Sequence, residues 1–320
     1  MGKRIAKRAG IALLIIAGLL GLLLLLSWVN HRIQLAREEA IYQPMGKQVA
    51  VNGHSMNVYT EGNGEVTLVF LSGSGTCSPV LDFKSLYSLL SSRYRIAVVE
   101  RAGYGFSEDT NLSRDLDTVL SETRQALSAA GLSAPYIVCP HSMSGIEALY
   151  WAQQYPEEVT AIIGLDMAVP EAYGEMEINL FAMQLSSFAA RVGLTRWIPG
   201  LAESDAIRHG TLTQEEKDLY RAVFYRSTLT TAMRNETKEI KASAETVANG
   251  GPVDVPLLMF ASDGSGGTGF DEQTWRGFQH NFAADLPNAQ VVELDCPHYV
   301  HDYQYEEISE EMMGFIGELP

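Results

Sequence analysis

The chain reads as an α/β protein: a mostly parallel sheet with helices on both faces, interrupted by a helical insertion and preceded by one transmembrane helix. Three observations predict this. Short, nearly continuous apolar runs at 66–71, 94–99, 136–139 and 159–165 alternate with segments whose apolar residues recur at helical spacing. Strands buried on both faces have that continuous character, and parallel strands need helical crossovers. From 170 to 252 the sequence is rich in helix formers and poor in strand patterns, and the apolar rhythm resumes at 255–260. A single stretch, 9–29, is apolar and free of charge.

That stretch comes first in the chain. At about 1.5 Å per residue, its roughly 21 residues match a hydrocarbon core of about 30 Å. Trp28 stands at its far edge, where an indole suits the lipid–water boundary. A cleaved signal peptide is the other reading, but its apolar core would be about 7–15 residues with small residues before the cut. Leu26-Ser27-Trp28-Val29-Asn30 has no such pattern. The expectation is an uncleaved single-pass anchor that partners the bilayer through 9–29. Lys3, Arg4, Lys7 and Arg8 precede it and only Arg32 and Arg37 closely follow. The basic end stays in the cytoplasm, which puts the large domain on the outer side. Residues 1–29 thus form a cytoplasmic stub and span, 30–47 a connector that could be helical, and 48–320 one domain with its insertion at 170–252.

Within that domain, 48–59 reads as two strands joined by a tight turn at Asn52-Gly53. The run 66–71 ends in Ser72-Gly73-Ser74-Gly75, a strand followed by a glycine loop. A helix covers 83–90. The strand at 94–99 runs into the glycine turn at Arg101-Ala102-Gly103-Tyr104-Gly105. The helix over 115–130 stops at Gly131, a fitting C-cap. The strand at 136–139 precedes a helix at 145–155 that ends before Pro156. A strand at 290–294 and a helix at 306–316 close the chain.

Composition bounds the function. The 320 residues are 46% hydrophobic, enough for a full core, and the net charge is −16. A body that acidic repels phosphate backbones, so no nucleic-acid partner is expected. Cys77, Cys139 and Cys296 are too few and too far apart for a disulfide framework, and no CxxC pair suggests zinc. No metal or organic cofactor is implied, since there is no HExxH, phosphate loop or dinucleotide fingerprint.

The segment that carries chemistry is Tyr136-Ile137-Val138-Cys139-Pro140-His141-Ser142-Met143-Ser144-Gly145. A buried strand enters a sharp turn with a serine at its apex and passes directly into a helix. That turn strains the serine backbone and exposes its hydroxyl, and the helix N-terminus behind it offers free N–H groups to an oxyanion. The segment resembles the nucleophile elbow of the α/β-hydrolase superfamily, G-x-S-x-G, with Pro140 and Ser144 at the glycine positions. A rival register makes Ser144 the nucleophile, but it would put the β-branched Ile146 where a small residue is needed. The resemblance covers about 48–320 and implies an α/β-hydrolase fold with a helical cap over 170–252.

It also implies site residues. Ser72-Gly73-Ser74-Gly75 resembles the family's oxyanion loop with Ser72 in place of its histidine, so the N–H groups of Ser74 and Met143 would form the oxyanion hole. Glu100 to Ser107 resembles a structural turn of the family. The family order Ser…Asp/Glu…His puts the base at His298 in Cys296-Pro297-His298-Tyr299-Val300-His301, with His301 as a supporting imidazole. The acid is expected at Asp263, after the strand at 257–260, with Asp166 and Asp271 as alternatives. Ser142, His298 and Asp263 would then be the catalytic residues.

A serine nucleophile implies attack on a carbonyl and an acyl-enzyme intermediate. Family members that open epoxides or displace halides use a carboxylate nucleophile, so Ser142 argues for esters and related acyl bonds. The expected partner is a small, hydrophobic acyl substrate. Leu180, Phe181, Leu185, Phe188 and Trp197 give the cap apolar surface for substrate or for packing. Two other readings share the residues: a ligand-binding module with weak or no catalysis, permitted by the changed glycines, and an acyltransferase, whose acceptor no triad encodes.

Overall fold

A computed structural model describes residues 2–319. Helix α1 (Gly2–Glu38) runs unbroken through the span and most of the connector, because no proline or turn-forming glycine interrupts it before Pro44 and Gly46. It is long and apolar enough to cross a membrane, with a mean hydropathy of 2.9 over its most apolar window.

Strands β1 (Lys47–Val51) and β2 (His54–Glu61) form an antiparallel hairpin. Its turn needs positive φ at both central residues, and Asn52 (47°) and Gly53 (82°) supply it. There follow β3 (Thr67–Leu71), α2 (Pro79–Asp82), α3 (Lys84–Leu90), β4 (Arg95–Glu100), α4 (Leu116–Ala130), β5 (Tyr136–Pro140), α5 (Ser144–Gln154) and β6 (Val159–Leu165). Five helices then lie between β6 and the next strand: α6 (Pro170–Glu175), α7 (Leu180–Arg191), α8 (Asp205–Arg208), α9 (Gln214–Ser227) and α10 (Thr231–Ala248). The sheet resumes with β7 (Leu257–Ala261), α11 (Glu272–Ala284) and β8 (Ala289–Glu293), and the described chain closes on α12 (Val300–Tyr303) and α13 (Tyr305–Glu318).

The strands form one eight-stranded sheet in the order β1-β2-β4-β3-β5-β6-β7-β8, parallel from β4 to β8. Strands β3, β5 and β7 are buried at every residue, which explains their unbroken apolar runs. One core packs α4, α5 and α11 on one face, and a second packs α3 and α13 on the other. Helix α4 begins where the Asp115 side chain accepts from Thr118 N–H (2.8 Å) and stops at Gly131, whose φ is 91°.

The five-helix insertion is joined to the sheet by buried polar contacts. Arg101, after β4, lies 3.4 Å from Glu236 of α10, and Tyr104 donates to the same carboxylate at 2.6 Å. Asp109 accepts from the N–H groups of Thr231 and Ala232 at the start of α10.

Candidate active site

Residue 142 sits where β5 stops. Ser142 has φ 52°, the left-handed region that costs a side-chain-bearing residue energy. The strand–helix turn holds it there: Gly145 N–H donates to Ser142 carbonyl (2.9 Å), and Ala168 N–H donates to the same oxygen (2.8 Å). Gly145 must be a glycine, because a Cβ there would stand 2.3 Å from the Ala168 carbonyl.

The two departures from glycine in this turn have local reasons. Pro140 lacks an N–H, and that side of β5 faces β6, where regular pairing ends at Val138 and only an isolated bridge, His141 to Leu165, follows. The single O–H of Ser144 is shared between the carbonyls of Leu71 (2.6 Å) and His141 (2.9 Å), and its oxygen accepts from His141 N–H (3.0 Å). It is buried and fully engaged, so it straps the turn to the end of β3 and has no hydroxyl to offer a substrate.

His298 stands on the loop between β8 and α12 and bridges two groups. The Ser142 hydroxyl lies 2.8 Å from its Nε2, and its Nδ1 lies 2.5 Å from Asp166 Oδ2. Asp166, the residue after β6, is fully buried. Its φ of 49° turns the side chain beneath the imidazole. Four further hydrogen bonds reach its carboxylate: Ser262 N–H (2.7 Å), Trp275 Nε1–H (2.7 Å) and Gln279 Nε2–H (3.2 Å) on Oδ1, and Ser262 Oγ–H (2.6 Å) on Oδ2. Donors crowd both oxygens, so the His298 tautomer that fits carries its proton on Nδ1 and presents a bare Nε2 to Ser142.

The expectation that Asp263 would orient the histidine is not met. Asp263 Oδ1 accepts from Ser265 N–H within its own loop (2.8 Å), and its backbone N–H is spent on the Cys296 carbonyl. Asp271 caps α11 by accepting from Thr274 N–H. The glycine-rich loop 264–269 serves the histidine in another way. Ser265 carbonyl accepts His298 N–H (2.9 Å), and a Cβ on Gly267 would come within 2.8 Å of the imidazole.

The loop after β3 meets this site from the other side. Gly73 is pressed so close that a Cβ would stand 2.8 Å from Ser142 Cβ and 2.9 Å from His141 Nδ1. Ser74, beside it, is exposed, and Met143 opens α5. Neither the Ser74 nor the Met143 N–H has a protein acceptor among the described residues, so both remain available as donors.

Behind the site is a cluster of buried imidazoles, tilted or edge-on to one another. The rings of His141 and His298 are 4.6 Å apart, and His301 is 4.8 Å from His141. Burial, and then the nearby His298 and His301, push the His141 imidazole well below its usual range, so it is neutral. As a neutral ring it donates from Nε2 to the His298 carbonyl (3.2 Å). His301 lies 3.4 Å from Asp82 Oδ2, which ties the loop to α2. Tyr220 of α9 donates to Asp82 Oδ1 (3.0 Å), so the same carboxylate also holds the insertion. Sequence reasoning passed over Ser262, Trp275 and Gln279; the spacing of four between the last two on one helix is the only signal that could have paired them.

A cavity of about 560 Å³ opens beside Tyr173, Lys241 and Phe282, and Ser142, His298 and Asp166 are absent from its lining. A smaller one, about 270 Å³, has Gly75, Thr76 and Cys77 of the loop after β3 as one wall and Tyr299, next to His298, as another. Its lining also lacks Ser142, His298 and Asp166, but two of its walls are chain neighbours of the site: the loop that carries Ser74, and Tyr299, the residue after His298. The three cysteines are free and buried, and burial pushes Cys77 up to about 12. A neutral thiol there is a poor nucleophile.

Comparison with known proteins sets this geometry in context. A family model described as alpha/beta hydrolase fold matches residues 66–304. The uncharacterised protein YbdG of Bacillus subtilis (strain 168) is 37% identical over 316 residues, covering 96% of this chain and 97% of that protein. Among solved structures, an epoxide hydrolase from Bacillus megaterium is 16% identical with a TM-score of 0.64, covering 85% of this chain and 100% of the other. The enol-lactonase of Burkholderia xenovorans LB400 is 17% identical with a TM-score of 0.62 over the same shares. At such identities the structural likeness speaks to fold alone.

Proposed function

The chain belongs to the α/β-hydrolase fold family, and from that premise we propose that it is a membrane-anchored serine hydrolase that cleaves a carboxylic ester or related acyl bond. The observation that carries the reading is the single imidazole of His298 shared between Ser142 Oγ and the buried Asp166 carboxylate. Ser142 attacks the substrate carbonyl while His298 Nε2 takes its proton, and Asp166 holds the imidazolium that results. The oxyanion meets the N–H groups of Ser74 and Met143. His298 then gives its proton to the departing alkoxide, which leaves an acyl group on Ser142. A water, deprotonated by His298, attacks that ester, and collapse releases the acid and restores the hydroxyl.

A serine at this position supports acyl chemistry rather than the carboxylate-nucleophile reactions of epoxide opening or halide displacement. Helix α1 supports anchoring through 9–29, and the excess of basic residues before the span supports a cytoplasmic N-terminus and an outer catalytic domain. The test is pre-steady-state hydrolysis of p-nitrophenyl esters of increasing chain length. The expected result is a burst of p-nitrophenol, one equivalent per enzyme, that is lost in Ser142→Ala. Folded wild type with neither burst nor turnover on any chain length refutes the hydrolase reading and leaves a binding module.

A further inference from the structure

Helix α1 does not stand free of the insertion. Just beyond the span, Arg196 grips it three times: Nε–H donates to His31 Nδ1 (2.9 Å), and the two terminal nitrogens donate to the Glu38 carboxylate (2.6 and 2.8 Å). Arg226 adds a bond to the Leu35 carbonyl (2.8 Å). Bidentate arginine contacts fix orientation as well as distance. The register they set is informative. Trp197 donates from its indole nitrogen to the hydroxyl of Ser27, which lies inside the apolar stretch. Below that bond an apolar cleft of about 490 Å³ separates Leu19, Leu22, Leu23 and Leu26 of α1 from Leu194 and Trp197. From Ser27 to Leu19 is about 12 Å along the helix, close to the depth of one hydrocarbon leaflet, about 15 Å.

The 3₁₀ turn Leu194–Trp197 therefore runs beside residues that a bilayer would enclose. Trp197 is nevertheless 63% exposed and Ile198 53%, with Leu201 beyond them also exposed. Charge agrees. Residues 178–202 contain no Asp or Glu, in a chain whose net charge is −16, and their only ionisable side chains are Arg191 and Arg196. Leu201 also lines the cavity that reaches the loop after β3, with Tyr220, Phe224 and Tyr299 as its other large apolar walls and Glu203, Ser204 and Asp205 as its polar ones. At about 270 Å³ it is near the lower end of ligand pockets, roughly 300–1,000 Å³.

We propose that residues 194–201 of the insertion are sunk in the leaflet beside α1, and that the cavity behind Leu201 receives the ester of a lipid drawn directly from the bilayer. The immersion rests on the proposed anchoring of α1 and not on the catalytic reading; the lipid route rests on both. Immersed apolar side chains lose the water they would otherwise face, and the interfacial tryptophan and arginine sit where such residues favour the membrane boundary. A lipid entering at Leu201 would meet the loop after β3 and Tyr299 without crossing water.

The test uses the full chain in nanodiscs of phosphatidylcholine and phosphatidylglycerol, with a nitroxide at Ile198→Cys or, for comparison, at the exposed Glu215→Cys. The native cysteines are buried and do not compete. The label at 198 should be relaxed more by oxygen than by a water-soluble nickel chelate, and the label at 215 the reverse. Two labels that behave alike, both open to nickel, overturn the immersion. A second arm compares Ile198→Glu with wild type on p-nitrophenyl palmitate in the bilayer and on water-soluble p-nitrophenyl acetate. A charge that resists burial should lower palmitate turnover on the order of tenfold, with acetate turnover unchanged. Equal rates on palmitate, or equal losses on both esters, overturn the lipid route. Failure of wild type on both esters removes the hydrolase reading and the lipid route with it, while the spin labels still decide the immersion.

Discussion

Replacing Asp166 with asparagine should abolish most of the activity while leaving the fold intact, and the structure says which way the new amide will turn. Oδ1 receives three N–H donors, from Ser262, Trp275 and Gln279, and two of these are fixed. An amide nitrogen cannot sit among them, so the asparagine oxygen keeps that place. Its nitrogen takes the Oδ2 position, where the Ser262 hydroxyl can rotate to accept and only the His298 Nδ1–H conflicts. The imidazole resolves the conflict by moving its proton to Nε2. It then donates to Ser142 instead of accepting from it, and the base is lost. An orienting acid in a Ser-His-Asp arrangement is worth about 10⁴ in kcat, or about 5 kcal/mol. Asp263→Asn, which touches only its own loop, should stay within a few-fold of wild type. The assay is kcat on a short p-nitrophenyl ester, with far-ultraviolet circular dichroism as the fold control. Asp166→Asn retaining more than about a tenth of wild-type kcat, or Asp263→Asn showing the large loss, would refute the assignment.

Three further outcomes follow from the same contacts. Gly73→Ala places a methyl against Ser142 Cβ and His141 Nδ1, so activity should fall by about 10² or more with little change in melting temperature. Ser144→Ala removes one of the two donors on the Leu71 carbonyl, the His141 N–H remaining, and should lower stability by about 0.5–1.5 kcal/mol in urea unfolding, while Ser142 stays reactive towards fluorophosphonates. Asp302 is fully buried, and its carboxyl is held well above the usual range by burial and by the neighbouring Asp82 and Asp205 carboxylates. The unfolded chain releases that proton near pH 4 and the folded one at higher pH, so stability must fall as pH rises past about 4. As pH is raised above about 4, wild type should therefore lose melting temperature that Asp302→Asn keeps; parallel curves for the two proteins would refute this.

What the sequence could reveal differed sharply between parts of the site. Ser142 was legible because a strand, a sharp turn and a helix share ten consecutive residues, and the rival Ser144 register failed on the bulk of Ile146. His298 was legible from its place between the last strand and the last helices. The acid was not. Asp166 and Asp263 follow adjacent strands, β6 and β7, and both lie near the same sheet edge. The choice between them turns on a left-handed φ at Asp166 and on donors from α11, a helix whose packing no local pattern announces. The grip of Arg196 on α1 was equally out of reach, since its partners are more than 150 residues away in the chain. Local geometry is written in neighbouring residues; a buried carboxylate's company is decided only when distant elements close around it.

The central claim is that Ser142 is an activated nucleophile. The most direct measurement is fluorophosphonate labelling of the full chain in detergent, read by intact mass and by peptide mapping, beside Ser142→Ala, Ser144→Ala and His298→Ala. The account predicts one phosphonyl adduct on Ser142 in wild type and in Ser144→Ala, and none in the other two. No adduct on folded wild type, or an adduct that survives Ser142→Ala, would contradict it.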